Sequence, residues 1–119
     1  MTVREIAAVL NAQWLCCQNG GDIQATSAFA SDMMSDVLAF VREDTVLLTG
    51  LINSQAVRTA EMLDLPCLVF VRGKEPQPDA VQRAKALGLP ALITPYSMYE
   101  ACGRLYQAGL PPVKLGENK

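Results

Sequence analysis

Polar and charged side chains that can contact a ligand follow three apolar segments of this chain. They lie in the loops 49–54, 72–77 and 94–97 and comprise hydroxyl groups, the amide of Asn53, the carboxylate of Glu75 and two cations. Helix N-termini, together with Arg and Lys, attract phosphate and carboxylate groups. We therefore predict a site for a small anionic ligand, with a nucleotide among the candidates. Its predicted residues are Thr49, Gly50, Asn53, Ser54, Arg72, Gly73, Lys74, Thr94 and Ser97, joined by Asp32 from an earlier loop.

The same residue types have a simpler structural explanation. Thr, Ser and Asn are the residues that cap helix N-termini, and Arg72-Gly73-Lys74 is typical of a solvated turn. Asp32 and Glu75 are conceivable as an acid and base pair, but capping or solvated carboxylates are the commoner case. The phosphate-binding patterns GxxxxGK[ST] and GxGxxG do not occur. These loops therefore form either a binding site or only a set of helix caps.

The composition argues against catalysis and against a bound metal. The chain contains no histidine, which removes the commonest general base near neutral pH and excludes Ser-His and Cys-His nucleophilic catalysis. The four cysteines, Cys16, Cys17, Cys67 and Cys102, show no CxxC spacing. We interpret them as small buried hydrophobic residues in preference to a redox set. We predict no catalytic residues, no metal site and no cofactor, and hence a protein that is not an enzyme.

Length and charge limit the classes of partner. A chain of 119 residues fits one domain, and a hydrophobic fraction of 50% leaves apolar surface for a partner subunit. A net charge of -2, with acidic and basic residues intermixed, argues against a nucleic-acid partner. No signal peptide and no apolar run long enough for a membrane helix is recognised, so we expect no membrane association and a cytoplasmic protein.

The loops are expected to meet because the segments before them read as parallel strands. Residues 46–72 have the pattern strand, turn, amphipathic helix, strand, which indicates a βαβ unit. The segment 56–68 recurs at 80–92 with alanines, leucines and a Leu-Pro pair in matching positions. The alanines suit a helix that lies close to a sheet, and Leu-Pro ends the helix before the next strand. In a parallel sheet, every such helix begins at the same carboxyl edge.

The sequence patterns that predict helices and strands are less regular in the first third of the chain. We expect a helix over 2–12 capped by Thr2, a strand over 14–17, and a turn at 19–22 whose Asn and Gly residues tolerate positive φ. An imperfect alternation predicts a strand over 23–30. Ser31 and Asp32 are expected to cap a second helix, which buries Met34, Val37, Leu38 and Val41.

The last helix and the tail suggest a protein interface. The helix is predicted from Ser97 to about Ala108, where Gly109 stops it. Tyr99 and Tyr106 are seven residues apart and share one face, which is either an interface or the rim of the core; we favour the interface. The tail 111–119 is polar and broken by proline, and we expect it to hang free or to lie across a neighbour.

These segments together resemble the stand-alone DRTGG domain. The resemblance covers roughly residues 22–110 and is carried by the segments 31–40, 46–63, 68–74 and 92–110. That family is similar in fold to the N-terminal domain of HPr kinase/phosphorylase, whose kinase activity belongs to a separate P-loop domain. The resemblance implies a three-layer α/β/α sandwich with a regulatory or ligand-binding accessory role. Small members encoded near iron-only hydrogenase and NADH-oxidising subunits are the most similar.

We therefore predict one α/β domain over residues 1–110, with a mainly parallel sheet of about five strands, followed by the tail 111–119. The first functional hypothesis is a non-catalytic regulatory module that binds a small anion or nucleotide at the carboxyl edge. The alternative is a pure interaction domain, either a homodimer or an accessory subunit of a hydrogenase or NADH-oxidoreductase complex. In both cases we expect a homo-oligomer, most simply a dimer.

Overall fold

A computed structural model describes residues 1–115, and residues 116–119 of the tail lie outside the described part. Its strands are β1 (Gln13–Cys16), β2 (Ser27–Ala30), β3 (Thr45–Thr49), β4 (Cys67–Phe70) and β5 (Ala91–Ile93). Its α-helices are α1 (Val3–Val9), α2 (Met34–Phe40), α3 (Ser54–Met62), α4 (Pro78–Leu87) and α5 (Met98–Gln107). A short 3-10 turn, Gln18–Gly20, follows β1. None of these helices is long and apolar enough to cross a membrane.

The five strands form one mixed sheet in the order β1-β5-β4-β3-β2. Strands β2 to β5 pair in parallel, whereas β1 pairs antiparallel with β5 at one edge. Helices α2, α3 and α4 supply the buried apolar residues on one face, and α1 and α5 supply those on the other. The predicted α/β class, with a mainly parallel sheet of about five strands between helical layers, is confirmed.

Strand β3 shows why a central strand carries an unbroken apolar run, here residues 46–48. All five of its residues are buried. Leu47 packs into the cluster under α2, α3 and α4, whereas Val46 and Leu48 pack into the cluster under α1 and α5. A strand covered on both faces buries every side chain, so its sequence lacks the alternation of a half-exposed strand.

The two copies of the internal repeat adopt the same structure. Ala56 and Ala60 of α3, and the matching Ala80 and Ala84 of α4, are buried against the sheet. Both helices end alike, since the N–H of Leu65 donates to the carbonyl of Ala60 at 3.0 Å and that of Leu89 donates to Ala84 at 2.9 Å. The residue before each of these leucines has positive φ, 53° at Asp64 and 71° at Gly88. Glycine takes this conformation without the steric cost that an L side chain carries.

Helix α1 begins as its sequence predicts. The Thr2 hydroxyl accepts from the N–H of Glu5 at 3.1 Å, and the Glu5 carboxylate accepts from the N–H of Thr2 at 2.8 Å. This reciprocal pair is a capping box. The hydrogen bonds from the backbone N–H and the hydroxyl of Thr2 lower the pKa of the Glu5 carboxyl.

Two predictions for the first third of the chain are wrong in part. At the turn, the left-handed conformation falls on Cys17, with φ 62°, and not on Asn19 or on the glycines. The strand expected over 23–30 forms only at β2, because the backbone N–H and C=O groups of its first half form hydrogen bonds with the N-terminal residues of the chain. Val3 donates to the carbonyl of Ile23 at 2.9 Å, and Ala25 donates to that of Met1 at 2.8 Å.

The second helix and the tail also differ from expectation. Leu38 is exposed, because the buried stripe of α2 is narrower than predicted and its buried members are Met34 and Val37. Residues 111–113 do not hang free. Ala28 of β2 donates to the carbonyl of Pro111 at 3.0 Å and accepts from the N–H of Val113 at 3.1 Å. This contact covers part of an otherwise open sheet edge.

Candidate functional site

The three loops predicted to meet at the carboxyl edge of the sheet are joined by backbone hydrogen bonds. The N–H of Gln77 donates to the carbonyl of Ile52 at 2.8 Å, which links the loops after β3 and β4. The N–H groups of Arg72 and Gly73 donate to the carbonyls of Tyr96 and Thr94 at 2.7 and 2.8 Å, which links the loops after β4 and β5. The edge is therefore one continuous surface built from segments distant in sequence.

Gly50 lies at the centre of this edge, between Asp32 and Arg72. Its N–H donates to Oδ1 of Asp32 at 2.6 Å. A Cβ at Gly50 would lie 3.0 Å from Nη2 of Arg72 and 3.4 Å from both carboxylate oxygens of Asp32. These three residues follow β2, β3 and β4, which are adjacent strands. Any side chain at position 50 would therefore push the guanidinium of Arg72 away from its present position.

The loop after β4 holds two cations in an exposed position. Arg72 and Gly73 are consecutive residues with positive φ, 65° and 62°, and Arg72, Gly73 and Lys74 are all exposed. A left-handed arginine is strained and needs the surrounding hydrogen bonds to hold it. In residues 1–115, no ion pair within 4.0 Å involves Arg72 or Lys74. Both charges are therefore available to an anion at this edge.

Asp32 does not cap α2 as predicted. The residue before that helix is Met33, whose N–H is bound by the Ser31 hydroxyl at 3.0 Å. Oδ1 of Asp32 instead accepts from Gly50 and from the hydroxyl of Thr49, at 2.6 and 3.1 Å. The carboxylate faces the end of β3 because that strand leaves a backbone N–H without a partner in the sheet. Asp32 thereby becomes part of the carboxyl edge.

Most of the predicted hydroxyl and amide groups already have partners within the chain. Asn53 caps α3 by accepting from the N–H of Gln55 at 3.0 Å, and Ser97 caps α5 by accepting from Glu100 at 3.2 Å. The Ser54 hydroxyl lies 3.2 Å from the guanidinium of Arg58. The capping interpretation therefore describes these side chains. The charged groups of the predicted site that keep no hydrogen-bond partner within residues 1–115 are the cations of Arg72 and Lys74 and the second carboxylate oxygen of Asp32, Oδ2, since Oδ1 already accepts from Thr49 and Gly50.

Thr94 is a structural residue. Its side chain is fully buried, and its hydroxyl donates to the carbonyl of Leu10 at 2.6 Å while accepting from the N–H of Tyr96 at 3.3 Å. It therefore joins the end of β5 to the end of α1. We expect Thr94→Val to lower the free energy of unfolding by about 1–3 kcal/mol, because the buried partners lose their hydrogen bonds. Urea unfolding measures this loss. Thr94→Ser is the control that keeps the hydroxyl, and equal stability of Thr94→Val and the wild type would contradict the prediction.

Tyr96 and Arg104 form a contact that the sequence does not reveal. The guanidinium carbon of Arg104 lies 4.2 Å from the centre of the Tyr96 ring, a cation–π distance. The carbonyl of the same tyrosine accepts from Arg72. No periodicity predicts this contact, because Tyr96 precedes the helix and its ring direction depends on the loop. The loop that carries Arg72 is thereby connected to α5.

Of the four cysteines predicted to be buried, Cys67 is buried, whereas Cys16, Cys17 and Cys102 are only partly buried. Burial, with the neighbouring Cys17 thiol, raises the pKa of Cys16 to about 12. Burial also raises the pKa of Cys67 and that of Cys102. These thiols stay protonated near neutral pH and are poor nucleophiles. Within residues 1–115, no group of three or more Cys, Asp or Glu side chains is placed to hold a metal ion.

Comparison with known proteins identifies related domains. A family model described as DRTGG domain matches residues 5–108. The chain is also similar to the crystal structure of the CBS and DRTGG domains of the regulatory region of Clostridium perfringens pyrophosphatase, complexed with its activator, diadenosine tetraphosphate. The TM-score is 0.68 at 17% identity, over 98% of this chain and 51% of that one. This chain therefore spans about half the length of that structure. No curated protein sequence matches it.

Proposed function

The chain belongs to the DRTGG domain family, and from that premise we propose that it is a non-catalytic regulatory module that binds a small anionic ligand at the carboxyl edge of its sheet. The observation that carries this proposal is the pair of exposed cations, Arg72 and Lys74, on a loop that hydrogen bonds hold in a strained conformation. Strained backbone conformations of this kind cluster at ligand sites, where a pre-organised loop geometry favours binding.

A nucleotide suits this edge better than a simple anion does. The guanidinium of Arg72 donates to phosphate oxygens, often through two parallel hydrogen bonds. The Asp32 carboxylate would repel a bare phosphate placed against it, but it accepts hydrogen bonds from sugar hydroxyls. Both side chains lie beside Gly50, so one ligand that carries a phosphate and a sugar can contact both. The activator in the related pyrophosphatase structure, diadenosine tetraphosphate, is a ligand of this class.

A thermal-shift screen tests the proposal. The compounds are mononucleotides, dinucleotides, diadenosine tetraphosphate, acyl phosphates, inorganic phosphate and sulfate. A ligand present at about 100 times its dissociation constant stabilises the folded protein by about 2.7 kcal/mol. We expect a nucleotide to raise Tm more than inorganic phosphate does. If no compound moves Tm, the proposed ligand class is wrong.

Arg72→Ala is expected to weaken binding of the nucleotide found in that screen by about 10- to 100-fold, because a hydrogen bond to a charged group contributes about 1.5–3 kcal/mol. Calorimetric titration measures the change. The matched control is Arg83→Ala, which removes an exposed arginine of α4 whose partner is Glu61 at 2.9 Å. Unchanged affinity in Arg72→Ala, or equal losses in both variants, would place the ligand elsewhere.

The alternative function, an interaction domain, is favoured by a separate observation. Tyr99 and Tyr106 on α5 are 90% and 70% exposed. Exposed aromatic side chains on one helix face are typical of protein interfaces. In this case the carboxyl-edge loops serve only as caps, and the partner is a second copy or an accessory subunit of a redox complex. If no compound in the screen raises Tm and the purified protein is a stable oligomer, the result would support the interaction domain.

A further inference from the structure

Two adjacent thiols, Cys16 and Cys17, lie at the end of β1 and take no part in the carboxyl edge. Cys16 is the last residue of that strand, and both side chains are partly buried. Successive side chains of an extended strand point to opposite faces of a sheet, so two adjacent cysteines within a strand keep their thiols apart. Here the strand ends between them, so the direction of the Cys17 side chain depends on the turn that follows.

The backbone of Cys17 is left-handed, with φ 62° and ψ 40°. This conformation is uncommon for a residue that carries a Cβ, and asparagine and glycine adopt it more easily. Asn19, Gly20 and Gly21 follow closely in the chain, yet the left-handed position falls on the cysteine. Strained conformations of this kind cluster at sites where the geometry that they impose serves a function. What this conformation sets is the direction of the Cys17 thiol.

Both thiols contact the C-terminal end of α4. Sγ of Cys16 donates to the carbonyl of Leu89 at 3.3 Å. Sγ of Cys17 lies 3.8 Å from the carbonyl oxygen of Ala84 and 4.0 Å from that of Lys85. The N–H of Leu89 donates to the carbonyl of Ala84 at 2.9 Å, so the acceptors of the two thiols are themselves neighbours. The two thiols therefore share one small surface.

The other two cysteines are on the opposite face of the sheet. Cys16 packs against the apolar cluster under α2, α3 and α4. Cys67 belongs to the cluster under α1 and α5, and Cys102 packs against that same cluster. Cys67 is also fully buried within β4. The thiol that shares a face with Cys16 is therefore that of Cys17.

The two thiols of the pair are not equivalent. Burial, and then the neighbouring Cys17 thiol, raise the pKa of Cys16 to about 12. The positive charge of Lys85, in the last turn of α4, acts on that pKa in the opposite direction. The Cys17 thiol makes only the two longer contacts with carbonyl groups. Cys17 is therefore the thiol that reacts first, and Cys16 is the one that follows.

We propose that Cys16 and Cys17 form a reversible oxidation site, at which a low-molecular-weight disulfide converts the two thiols into a disulfide between adjacent residues. The thiolate of Cys17 attacks one sulfur of the reagent, forms a mixed disulfide and releases one reagent thiolate, which takes up a proton. The sulfur of Cys16 then loses its proton and attacks Sγ of Cys17, which breaks the mixed disulfide and releases the second reagent thiol. The protein gives up two protons and two electrons, and the reagent disulfide is reduced to two thiols. The proposal does not depend on a ligand at the carboxyl edge.

The position of Cys16 favours the second step, although its thiol is a weak acid. Conversion of Cys17 into the mixed disulfide removes the neighbouring thiol, which contributes to the high pKa of Cys16. The attack is also intramolecular, and a reacting group held beside its target reacts far faster than the same group free in solution.

A disulfide between adjacent residues is easily reduced. Consecutive Cα atoms are about 3.8 Å apart, whereas the Cα atoms of ordinary disulfides are about 4.4–6.8 Å apart. The bond is therefore strained, and strained or exposed disulfides are the labile ones. Such a pair responds to the ratio of thiols to disulfides around the protein and contributes little to holding the fold together.

Mass spectrometry after treatment with oxidised glutathione tests the proposal. The remaining thiols are alkylated and the protein is cleaved with trypsin, so that segment 5–42 carries Cys16 and Cys17 and segment 59–72 carries Cys67. We expect segment 5–42 to be lighter by about 2 Da, the mass of two hydrogen atoms, and to regain its thiols with dithiothreitol. An unchanged segment 5–42, a link from it to another segment or another chain, or glutathione adducts alone would each overturn the proposal.

Single variants test the order of the two steps. Cys16→Ser leaves Cys17 without its partner, so we expect a stable glutathione adduct on Cys17. Cys17→Gly suits the left-handed position, so Tm should stay level or rise, and the disulfide should be lost. Its adduct on Cys16 should form at least about tenfold more slowly than the adduct on Cys17, because Cys16 is the weaker acid.

Cys102→Ser is the matched control, since it removes another partly buried thiol, on the opposite face of the sheet. We expect it to form the disulfide at the wild-type rate. Equal rates of adduct formation in Cys16→Ser and Cys17→Gly, or loss of the disulfide in Cys102→Ser, would overturn the proposed pair.

Discussion

Replacement of Phe70 by alanine is expected to lower the free energy of unfolding by about 3–5 kcal/mol. Phe70 is the largest of the fully buried side chains and lies at the end of β4, in register with Thr49 on β3 and Ile93 on β5. Its ring fills the space between the sheet and the helical layer of α2, α3 and α4. The neighbouring helices present small alanines there, which cannot move far enough to close the cavity.

Urea unfolding followed by circular dichroism measures this loss, with the m-value as a test that the unfolded state is unchanged. Phe70→Leu is the matched variant, because leucine refills part of the cavity and should restore a large part of the lost stability. Phe70 lies two residues before Arg72, so a ligand titration of Phe70→Leu also reports whether the packing of β4 positions the cationic loop. A loss below about 1 kcal/mol in Phe70→Ala would contradict the central position of this side chain.

Replacement of Leu105 by alanine is expected to lower the free energy of unfolding by about 2–5 kcal/mol. Leu105 is 1% exposed and belongs to the apolar cluster that joins α1 and α5 to the sheet. The next residue, Tyr106, is 70% exposed on the outward side. Adjacent positions of one helix therefore have opposite roles, one in the core and one at the surface.

Tyr106→Ala is the matched variant, and in dilute solution we expect it to change the free energy of unfolding by no more than about 0.5 kcal/mol. Urea unfolding of the two variants measures both effects. Equal losses for Leu105→Ala and Tyr106→Ala would contradict the inward position of Leu105 and the outward position of Tyr106.

Local patterns in the sequence were sufficient for most of the helices and strands. The continuous apolar run of β3 and β4 predicted buried parallel strands, because both faces of such a strand are covered. The repeated alanines of α3 and α4 predicted close packing on the sheet, and all four of those at positions 56, 60, 80 and 84 are buried. The predicted cap Thr2 is confirmed, and Asn53 and Ser97 accept from helix N–H groups, as the capping interpretation of the edge loops expects. These features depend on neighbours within a few residues, which the sequence displays directly.

The errors fall where a distant segment supplies the hydrogen-bond partner. The strand expected over 23–30 is shortened because Met1 and Val3 bind its first half, and residues 111–113 lie on β2 because that strand has an open edge. The carboxylate of Asp32 does not cap α2. It accepts from the N–H of Gly50, which follows a neighbouring strand. Competition between a local and a distant partner depends on the assembled fold, so residue types alone do not decide it.

The sequence alone predicted the class of fold, the convergence of the three edge loops and a set of ten residues for a ligand site. The tertiary structure divided that set by role. Thr94 joins β5 to α1, and Asn53 and Ser97 cap helices, whereas Arg72 and Lys74 keep their charges exposed. The physical reason is that a hydroxyl or an amide serves equally well as a cap, an internal partner or a ligand contact. Which of these it becomes depends on the groups that the fold brings within hydrogen-bond distance.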